Sequence, residues 1–472
     1  MAGIGFELRK IFKERGVVSL LKGAFYSTFT VIGPMLITML SFMVLFAITG
    51  YQHIDYESKD LLVSITLYVF VFSLIFTSPL SAVVSRYIAD RIFEEDLSAI
   101  MPCYYTGLAI NMALGLLACA PVAIHMVAKG GVDPVVALIA AGMFMSMLMV
   151  YYNMTFISAL KEYRTIALTF LAGMAIMLVL GFGMYRLIGV PFLRAVLGSM
   201  MAGFLYIGLQ LYAFIRRFFN TTNHDYWGLL PYLRRFWLLL MTNMFYILGM
   251  YAHNFVFWFK SSLSITVAGT LYSAPVYDMA AFLAMMTNVS LLIIFTVRVE
   301  TNFHERYQDY CQQLLGGVGK EIVMAKNNMF QIMVKEIQYI AQVQTGLSMI
   351  IFLFLMICAP ALNFGGAIMT IYPALAAGYF VIFLMYCSII MLFYFDDGLG
   401  AALSAGTFFV VTLVVSLAAT SFRPSLYGIG AFIGAFCGWT IAFFRLRYIE
   451  RNINRQMYCK GDLVKRVYIN SY

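Results

Sequence analysis

Long apolar runs alternate with short polar stretches along this chain, a pattern typical of a protein that crosses a membrane many times. A helix of about 20 apolar residues spans a hydrocarbon layer of about 30 Å. The first half contains six such runs, at residues 25–49, 61–84, 103–128, 134–160, 165–185 and 192–215. The second half contains six more, at residues 236–259, 271–297, 344–362, 372–393, 399–419 and 425–444. The pattern predicts an all-α membrane protein with twelve transmembrane helices.

A basic linker separates the two sets of spans and predicts the domain organisation. Six spans, a linker and six further spans are typical of transporters in which two six-helix bundles rock about a central cavity. The predicted segments are an N-terminal segment (1–24), an N-terminal bundle (25–215), the linker (216–235), a C-terminal bundle (236–444) that includes a long loop (298–343), and a basic tail (445–472).

Composition and charge support a membrane protein and indicate its orientation. Of the 472 residues, 62% are hydrophobic and 11% are charged, whereas soluble domains contain about 25% charged residues. Twenty-five of the 31 Lys and Arg fall on one side of the predicted spans, which is therefore the cytoplasmic side. Both termini and the loop 298–343 are predicted to be cytoplasmic. The net charge of +9 then reflects topology, and we expect no nucleic-acid partner.

The usual catalytic motifs are missing from the sequence. It contains no G-x-x-x-x-G-K-[ST] phosphate loop and no His-Glu-x-x-His, and its seven Cys include no Cys-x-x-Cys pair. We therefore expect neither a cofactor nor a metal. Asp396 and Asp397 could hold a divalent ion for a nucleotide-sugar, but an acidic turn between two helices is the favoured interpretation.

Asp278 is the clearest candidate for a functional side chain, because a carboxylate inside a predicted span is costly unless it meets water or a partner. It lies in the predicted eighth span, and polar residues of the seventh span are at comparable depth. Such a cluster could contact a sugar chain or couple transport to protons, or it could be a helix–helix hydrogen-bond cluster. The candidate residues of this path are Asp278, His253, Asn254, Tyr251, Lys260 and Tyr277.

Other polar and aromatic residues suggest further roles. Arg86 and Asp90 are spaced to pair on one helix face, as an interfacial anchor or as a gate. Trp258 and Trp439 are predicted to be interface anchors. The 31 Tyr exceed what an interfacial belt needs, so some could line a path for sugars, although core packing is the favoured interpretation of any single Tyr.

The long loop predicts an amphipathic helix over residues 320–342. Its apolar residues follow a helical period, whereas Gln331, Lys335 and Glu336 fall on its polar face. Such a helix either lies on the inner leaflet or presents its apolar stripe to a partner. The stripe comprises Phe330, Met333, Val334, Ile337 and Ala341.

Four segments resemble one known family over essentially the whole chain. They are "MAGIGFELRKI", "IGPMLITML", "RVETNFHERYQDY" and "YFDD". Together they are similar to the PelG-type inner-membrane subunit of the bacterial Pel exopolysaccharide machinery, which is placed with the multidrug/oligosaccharidyl-lipid/polysaccharide flippases. The resemblance implies a PelF-type cytoplasmic glycosyltransferase and PelD-type and PelE-type membrane proteins as partners. It makes Glu300, Asn302, Glu305 and Arg306 candidate docking residues for that enzyme or its scaffold.

We therefore expect an inner-membrane transporter that exports a growing aminosugar polymer while a glycosyltransferase extends it. The subunit itself is not expected to be an enzyme, because no polar segment is long enough for a nucleotide-sugar domain. The alternative is an autonomous ion-coupled flippase or multidrug antiporter of the same fold that uses Asp278 as its coupling carboxylate.

Overall fold

The computed structural model describes residues 17–160, 162–220, 223–359 and 365–460, and most of these residues are helical. Within these ranges the side chains of residues 17–32, 163, 297, 300, 301 and 455–460 lie outside the description.

Seven long helices, one short helix and a β-hairpin make up the described first part of the chain, and six of the long helices come first. The six are α1 (Val17–Thr49), α2 (Tyr56–Phe93), α3 (Ile100–Ala128), α4 (Pro134–Leu160), α5 (Tyr163–Phe182) and α6 (Phe192–Phe218). A short helix α7 (Leu229–Arg235) and then α8 (Trp237–Lys260) follow, and a hairpin of β1 (Ile265–Val267) and β2 (Leu271–Ser273) comes next. The second part contains α9 (Pro275–Arg298), α10 (His304–Gly316), α11 (Gly319–Cys358), α12 (Gly366–Tyr394), α13 (Gly398–Ala419) and α14 (Ile429–Lys460).

Helix ends follow from local chemistry. Asp55 precedes α2, and its carboxylate accepts a hydrogen bond from the backbone N–H of Ser58 at 2.8 Å, which satisfies one free donor of the first turn. Pro134 and Pro275 open α4 and α9, where a missing N–H costs nothing. Helices dominate because a segment in lipid must satisfy its backbone hydrogen bonds internally.

Ten helices of the described part are long and apolar enough to cross a membrane. They are α2 to α6, α9 and α11 to α14, and they match ten of the predicted spans. The other two predicted spans, 25–49 and 236–259, fall on α1 and α8, which are not among these ten. The count of twelve spans and the cytoplasmic placement of both termini therefore stay predictions.

The chain forms two compact units, Met1–Ala281 and Phe282–Tyr472, and the division falls within α9. In the first unit α4 packs against α2, α3 and α6, and α2 also packs against α8. In the second unit α14 packs against α12 and α13, and α10 packs against α11. The predicted division into two bundles at the linker 216–235 stays a prediction.

Two predicted elements have different boundaries in the structure. The span predicted to start at residue 271 begins instead at Pro275, because residues 265–273 form an antiparallel hairpin that pairs Val267 with Leu271. Positive φ values at Ala268 (48°) and Gly269 (63°) provide the tight turn that such a hairpin requires. The predicted helix 320–342 and the ninth span are one continuous helix, α11, in which no proline interrupts the hydrogen bonds.

Glycines set the distance between α13 and α14. Gly430, Gly434 and Gly438 recur every fourth residue on α14 and face α13. A Cβ atom at Gly434 would lie 2.0 Å from Oγ1 and 2.7 Å from the backbone N of Thr412. The Ser404 hydroxyl donates a hydrogen bond to the Gly438 carbonyl at 2.8 Å. This is the small-residue contact that lets membrane helices approach closely.

Replacing Gly434 with Leu is expected to destabilise the protein by about 1–3 kcal/mol, because the added side chain meets the backbone of Thr412. Gly346→Leu in α11 is the matched control, since nothing lies within 4 Å of a Cβ atom there. Thermal unfolding in detergent should give a lower midpoint for Gly434→Leu only. Equal midpoints for the two variants would contradict the glycine contact.

Candidate functional site

Asp278, in the first turn of α9, is the centre of a polar cluster in the first unit. Asn254 Nδ2 donates a hydrogen bond to Oδ1 at 2.8 Å. Trp258 Nε1 lies 2.9 Å from both carboxylate oxygens, and the backbone N–H of Ala274 donates to Oδ2 at 3.2 Å. Each oxygen thus receives two contacts. A carboxylate offers about four lone-pair sites, and three N–H donors occupy part of this set, with the single indole proton of Trp258 shared between the two oxygens.

All three donors to Asp278 are neutral. Among the described residues no Lys or Arg forms an ion pair with this carboxylate. Its charge is stabilised by the oriented dipoles of an amide, an indole and the first turn of α9. The Asn254 Oδ1 atom is buried and accepts no hydrogen bond within the described part of the chain. An acceptor is therefore left beside the hydrogen-bonded carboxylate.

The prediction that Trp258 is an interface anchor is wrong. Its side chain is buried, and its ring stacks on Tyr68 of α2 with centroids 5.0 Å apart and planes 10° apart. The sequence contained a signal for this role, because Trp258 follows Asn254 by four residues and therefore lies on the same face of α8.

The other residues of the predicted path separate into two groups. His253 and Tyr277 are fully buried, and the Tyr277 hydroxyl lies 2.9 Å from His253 Nδ1. Tyr251 is half-buried and Lys260 is exposed at the end of α8, and neither forms a hydrogen bond with Asp278 in the described part. The structure thus places Asn254 next to Asp278, and His253 and Tyr277 in a neighbouring pair.

An apolar cavity of about 280 Å³ lies between α2, α3 and α4 in the same unit. Tyr68, Phe72, Phe76 and Phe144 contribute rings to its wall, and Leu271 of the hairpin contributes the end of the wall. A wall so poor in polar atoms offers sugar hydroxyls almost no hydrogen bonds. This cavity is therefore not the candidate path.

Arg86 and Asp90 pair as their spacing predicts, with 3.2 Å between Nε and Oδ1. Tyr232 of α7 donates its hydroxyl to Asp90 Oδ2 at 3.1 Å. Burial, and then the negative charge of Asp90, raise the pKa of the Tyr232 phenol, so it remains a donor at neutral pH. The pair thus ties α2 to the segment after α6, and its gating role stays a prediction.

The predicted docking stripe on α11 is largely internal. Phe330 and Met333 are buried and Ile337 is half-buried, whereas Val334 is exposed. Glu336, which the pattern placed on the polar face, is buried. The prediction that Glu336 lies on the polar face is wrong because two side chains bind its carboxylate. Arg298 Nε lies 2.5 Å from Glu336 Oε2, and Asn302 Nδ2 donates a hydrogen bond to Glu336 Oε1 at 2.7 Å. With its charge neutralised, Glu336 packs inward.

The predicted docking residues around the end of α9 lie in different environments. A π-helix, Val299–Phe303, joins α9 to α10, and Asn302 within it is bound to Glu336. Glu305 and Arg306 are exposed on α10, and Arg306 pairs with Asp309 at 3.1 Å. The side chain of Glu300 lies outside the described residues.

The acidic turn between α12 and α13 has the form expected of a helix connection. Arg445 of α14 forms two hydrogen bonds with Asp397, at 2.8 and 2.7 Å, and Asp397 also accepts the backbone N–H of Gly400. In the part of the chain with described positions, no group of three His, Cys, Asp or Glu could hold a metal ion.

Comparison with known proteins adds a family and a fold. The chain matches the PelG exopolysaccharide exporter (EPS-E) family over residues 1–458. No curated protein matches it in sequence. Its structure is similar to an inward-facing multidrug resistance MATE family transporter of the MOP superfamily, with a TM-score of 0.56, 13% identity, and coverage of 84% of this chain and 92% of the other.

Two further solved structures show the same fold. The outward-facing conformation of a MATE family transporter has a TM-score of 0.55 and 14% identity, over 96% of this chain and 100% of the other. The eukaryotic MATE transporter AtDTX14 has a TM-score of 0.52 and 13% identity, over 90% and 95%. The chain therefore has a MATE-like transporter fold.

Removing Glu336 is expected to destabilise the second unit by about 2 kcal/mol, because Arg298 Nε and Asn302 Nδ2 both lose the buried carboxylate that accepts their hydrogen bonds. Asp309→Ala is the matched control, since the Arg306–Asp309 pair is about half exposed and such pairs contribute at most about 1 kcal/mol. Unfolding in detergent measures both variants, Glu336→Ala and Asp309→Ala. Equal stabilities would show that the Glu336 pair does not hold α11 in place.

Proposed function

Since the chain belongs to the PelG family of exopolysaccharide exporters, we propose that it moves a growing aminosugar polymer outward across the bacterial inner membrane. The polymer is extended by a PelF-type cytoplasmic glycosyltransferase, and PelD-type and PelE-type membrane proteins complete the assembly. The chain itself acts as the transport subunit rather than as an enzyme. The MATE-like fold supports this role, because the fold belongs to transporters.

The observation that carries the proposal is the Asp278 cluster. An anionic side chain at the start of a membrane helix is costly, and here three neutral donors hold it instead of a cation. The cluster combines a fixed negative charge, the free acceptor of Asn254 and a stacked aromatic pair. Sugar hydroxyls can donate to such an acceptor, and amino groups of deacetylated units are attracted to the charge.

Coupling to the glycosyltransferase requires an exposed cytoplasmic surface, and the tip of the α10–α11 hairpin provides one. Four apolar side chains are exposed there, with exposed fractions of 74% (Leu315), 69% (Val318), 50% (Val323) and 57% (Met324). About 25 residues of α11 separate this tip from the apolar half of the same helix, a distance of about 37 Å at 1.5 Å per residue. This length is sufficient for the tip to reach beyond the bilayer and meet a soluble partner.

One observation favours the alternative function of ion-coupled transport. Because no Lys or Arg of the described part neutralises Asp278, a proton or sodium ion could bind there instead of a sugar amine. In that case the purified protein would transport its substrate alone, at a rate that depends on pH or sodium concentration.

Asp278→Asn is expected to reduce surface polymer about tenfold while protein abundance stays unchanged, since a hydrogen bond to a charged group is worth about 1.5–3 kcal/mol. Asp133→Asn is the matched control, because Asp133 pairs with Arg194 at partly exposed positions. Secreted polymer and membrane protein are measured in the same cells. Equal loss of polymer and protein would indicate a purely structural role.

Charged substitutions at the tip of the α10–α11 hairpin test the proposed coupling to the glycosyltransferase. We expect Val318→Asp with Met324→Asp to abolish co-purification of the glycosyltransferase from native membranes, because both exposed side chains would lose their apolar contact. Gln331→Asp adds the same kind of charge to an exposed position further along α11 and serves as the control. Retention of the enzyme by the tip variant would refute the tip as the docking surface.

A further inference from the structure

Aromatic rings form a continuous set of contacts between α2 and α8 in the first unit. Tyr68 and Phe72 are one helical turn apart on α2, and their ring centroids are 5.4 Å apart. Phe72 stacks on Phe255 at 5.7 Å, and Tyr68 stacks on Trp258 at 5.0 Å. Phe255 and Trp258 are themselves in edge contact at 5.2 Å. The four rings brace the two helices against each other.

Two more rings lie beside this set and are open to the outside of the unit. Phe259 at the end of α8 is 60% exposed, Tyr272 of the hairpin is 37% exposed, and their centroids are 5.0 Å apart. The backbone of Tyr272 is fixed by Tyr68. The Tyr68 hydroxyl donates a hydrogen bond to the Tyr272 carbonyl at 2.8 Å and accepts one from the Tyr272 N–H at 3.1 Å. The exposed pair is therefore fixed through both the hairpin backbone and the stacked rings.

The carboxylate of Asp278 determines the orientation of the Trp258 and Tyr68 rings. Trp258 Nε1 is within hydrogen-bonding distance of both oxygens, so the plane of the indole is fixed, and Tyr68 stacks parallel to it. Tyr68 in turn forms two hydrogen bonds with the backbone of Tyr272. A chain of direct contacts thus runs from Asp278 through Trp258 and Tyr68 to the exposed pair.

We propose that Phe259 and Tyr272 form a sugar-stacking site that receives pyranose rings of the polymer as it leaves the protein. This inference rests on the proposed export function and assigns its substrate contacts. The apolar face of a pyranose ring packs on an aromatic face, and the Tyr272 hydroxyl can bond its hydroxyl groups. Asp278 is a positioning residue in this site, because the contacts that link it to the exposed pair pass through Trp258 and Tyr68.

Rigid positioning distinguishes this pair from an ordinary interfacial belt. Belt aromatics are held at the membrane surface by the amphipathic character of their own rings and need no clamp. Tyr272 instead has its backbone N–H and C=O bound by a side chain 204 residues earlier in the chain. Pre-organisation of this kind reduces the entropy lost when a flexible polymer binds.

Binding is tested on the purified full chain in detergent, by isothermal titration calorimetry with the N-acetylglucosamine hexamer as the probe. The double variant Phe259→Ala, Tyr272→Ala is expected to raise Kd about tenfold, equivalent to about 1.4 kcal/mol, because both aromatic faces that pack on the sugar are lost. The control variant is Phe432→Ala, Phe436→Ala, which removes a partly exposed stacked pair of rings on α14. It should bind as the unmodified protein does.

The positioning role of Asp278 has its own readout. Asp278→Asn and Trp258→Phe should each weaken binding of the hexamer, and the two together should be no worse than one alone, because both break the same chain of contacts. Additive losses would overturn the positioning role. A double variant at Phe259 and Tyr272 that binds the hexamer normally, or an unmodified protein that does not bind it, would overturn the stacking site.

A cellular measurement separates this inference from the export function. If deleting the whole chain abolishes surface polymer but the Phe259, Tyr272 double variant secretes normally, export stands and the stacking site is refuted. If deletion of the chain leaves surface polymer intact, the proposed export function itself fails. Reduced secretion by the double variant, with the α14 control unaffected, supports the site.

Discussion

The cost of taking a carboxylate out of water governs the polar architecture of this protein. Among the side chains that the structure describes, Asp278, Glu336 and Asp397 are acidic groups withdrawn from solvent, and each is stabilised by fixed partners. Asp278 accepts from an indole, an amide and a backbone N–H. Glu336 is bound by Arg298 and Asn302, and Asp397 is bound by two nitrogens of Arg445. Each withdrawn charge thereby fixes the side chains around it.

The chemical type of the partner decides what each carboxylate does. At Glu336 and Asp397 a guanidinium neutralises the charge, and the pair ties one helix to another. At Asp278 the donors are neutral, so the negative charge persists and the geometry of an aromatic ring is fixed instead. The first arrangement supports structure, and the second provides an oriented surface next to a retained charge. This difference underlies the proposal that the second arrangement, and not the first, serves a flexible ligand with many hydroxyl groups.

The junction between α9 and α10 depends on the same constraint. A π-helix at Val299–Phe303 changes the helical period just where Asn302 must reach Glu336. Such π-segments are uncommon and occur frequently at functional sites. In the second unit this junction also anchors the long α11 helix, whose exposed tip is the surface proposed for a soluble partner. The fold shared with MATE transporters contributes the membrane helices, and the chemistry depends on local side chains.

The sequence by itself determined the class of this protein. Apolar runs of about 20 residues indicate transmembrane helices, and each motif of the family is a continuous segment of the chain. Ten of the predicted spans, the pairing of Arg86 with Asp90 and the proximity of Asn254 to Asp278 follow from spacing along single helices or between consecutive ones. Only the tertiary structure decided that Glu336 packs inward and that Trp258 and Tyr68 form one stack. Burial of a charge depends on a partner 34 to 48 residues away, and ring stacking joins residues 190 positions apart, so neither leaves a periodic signal in the sequence.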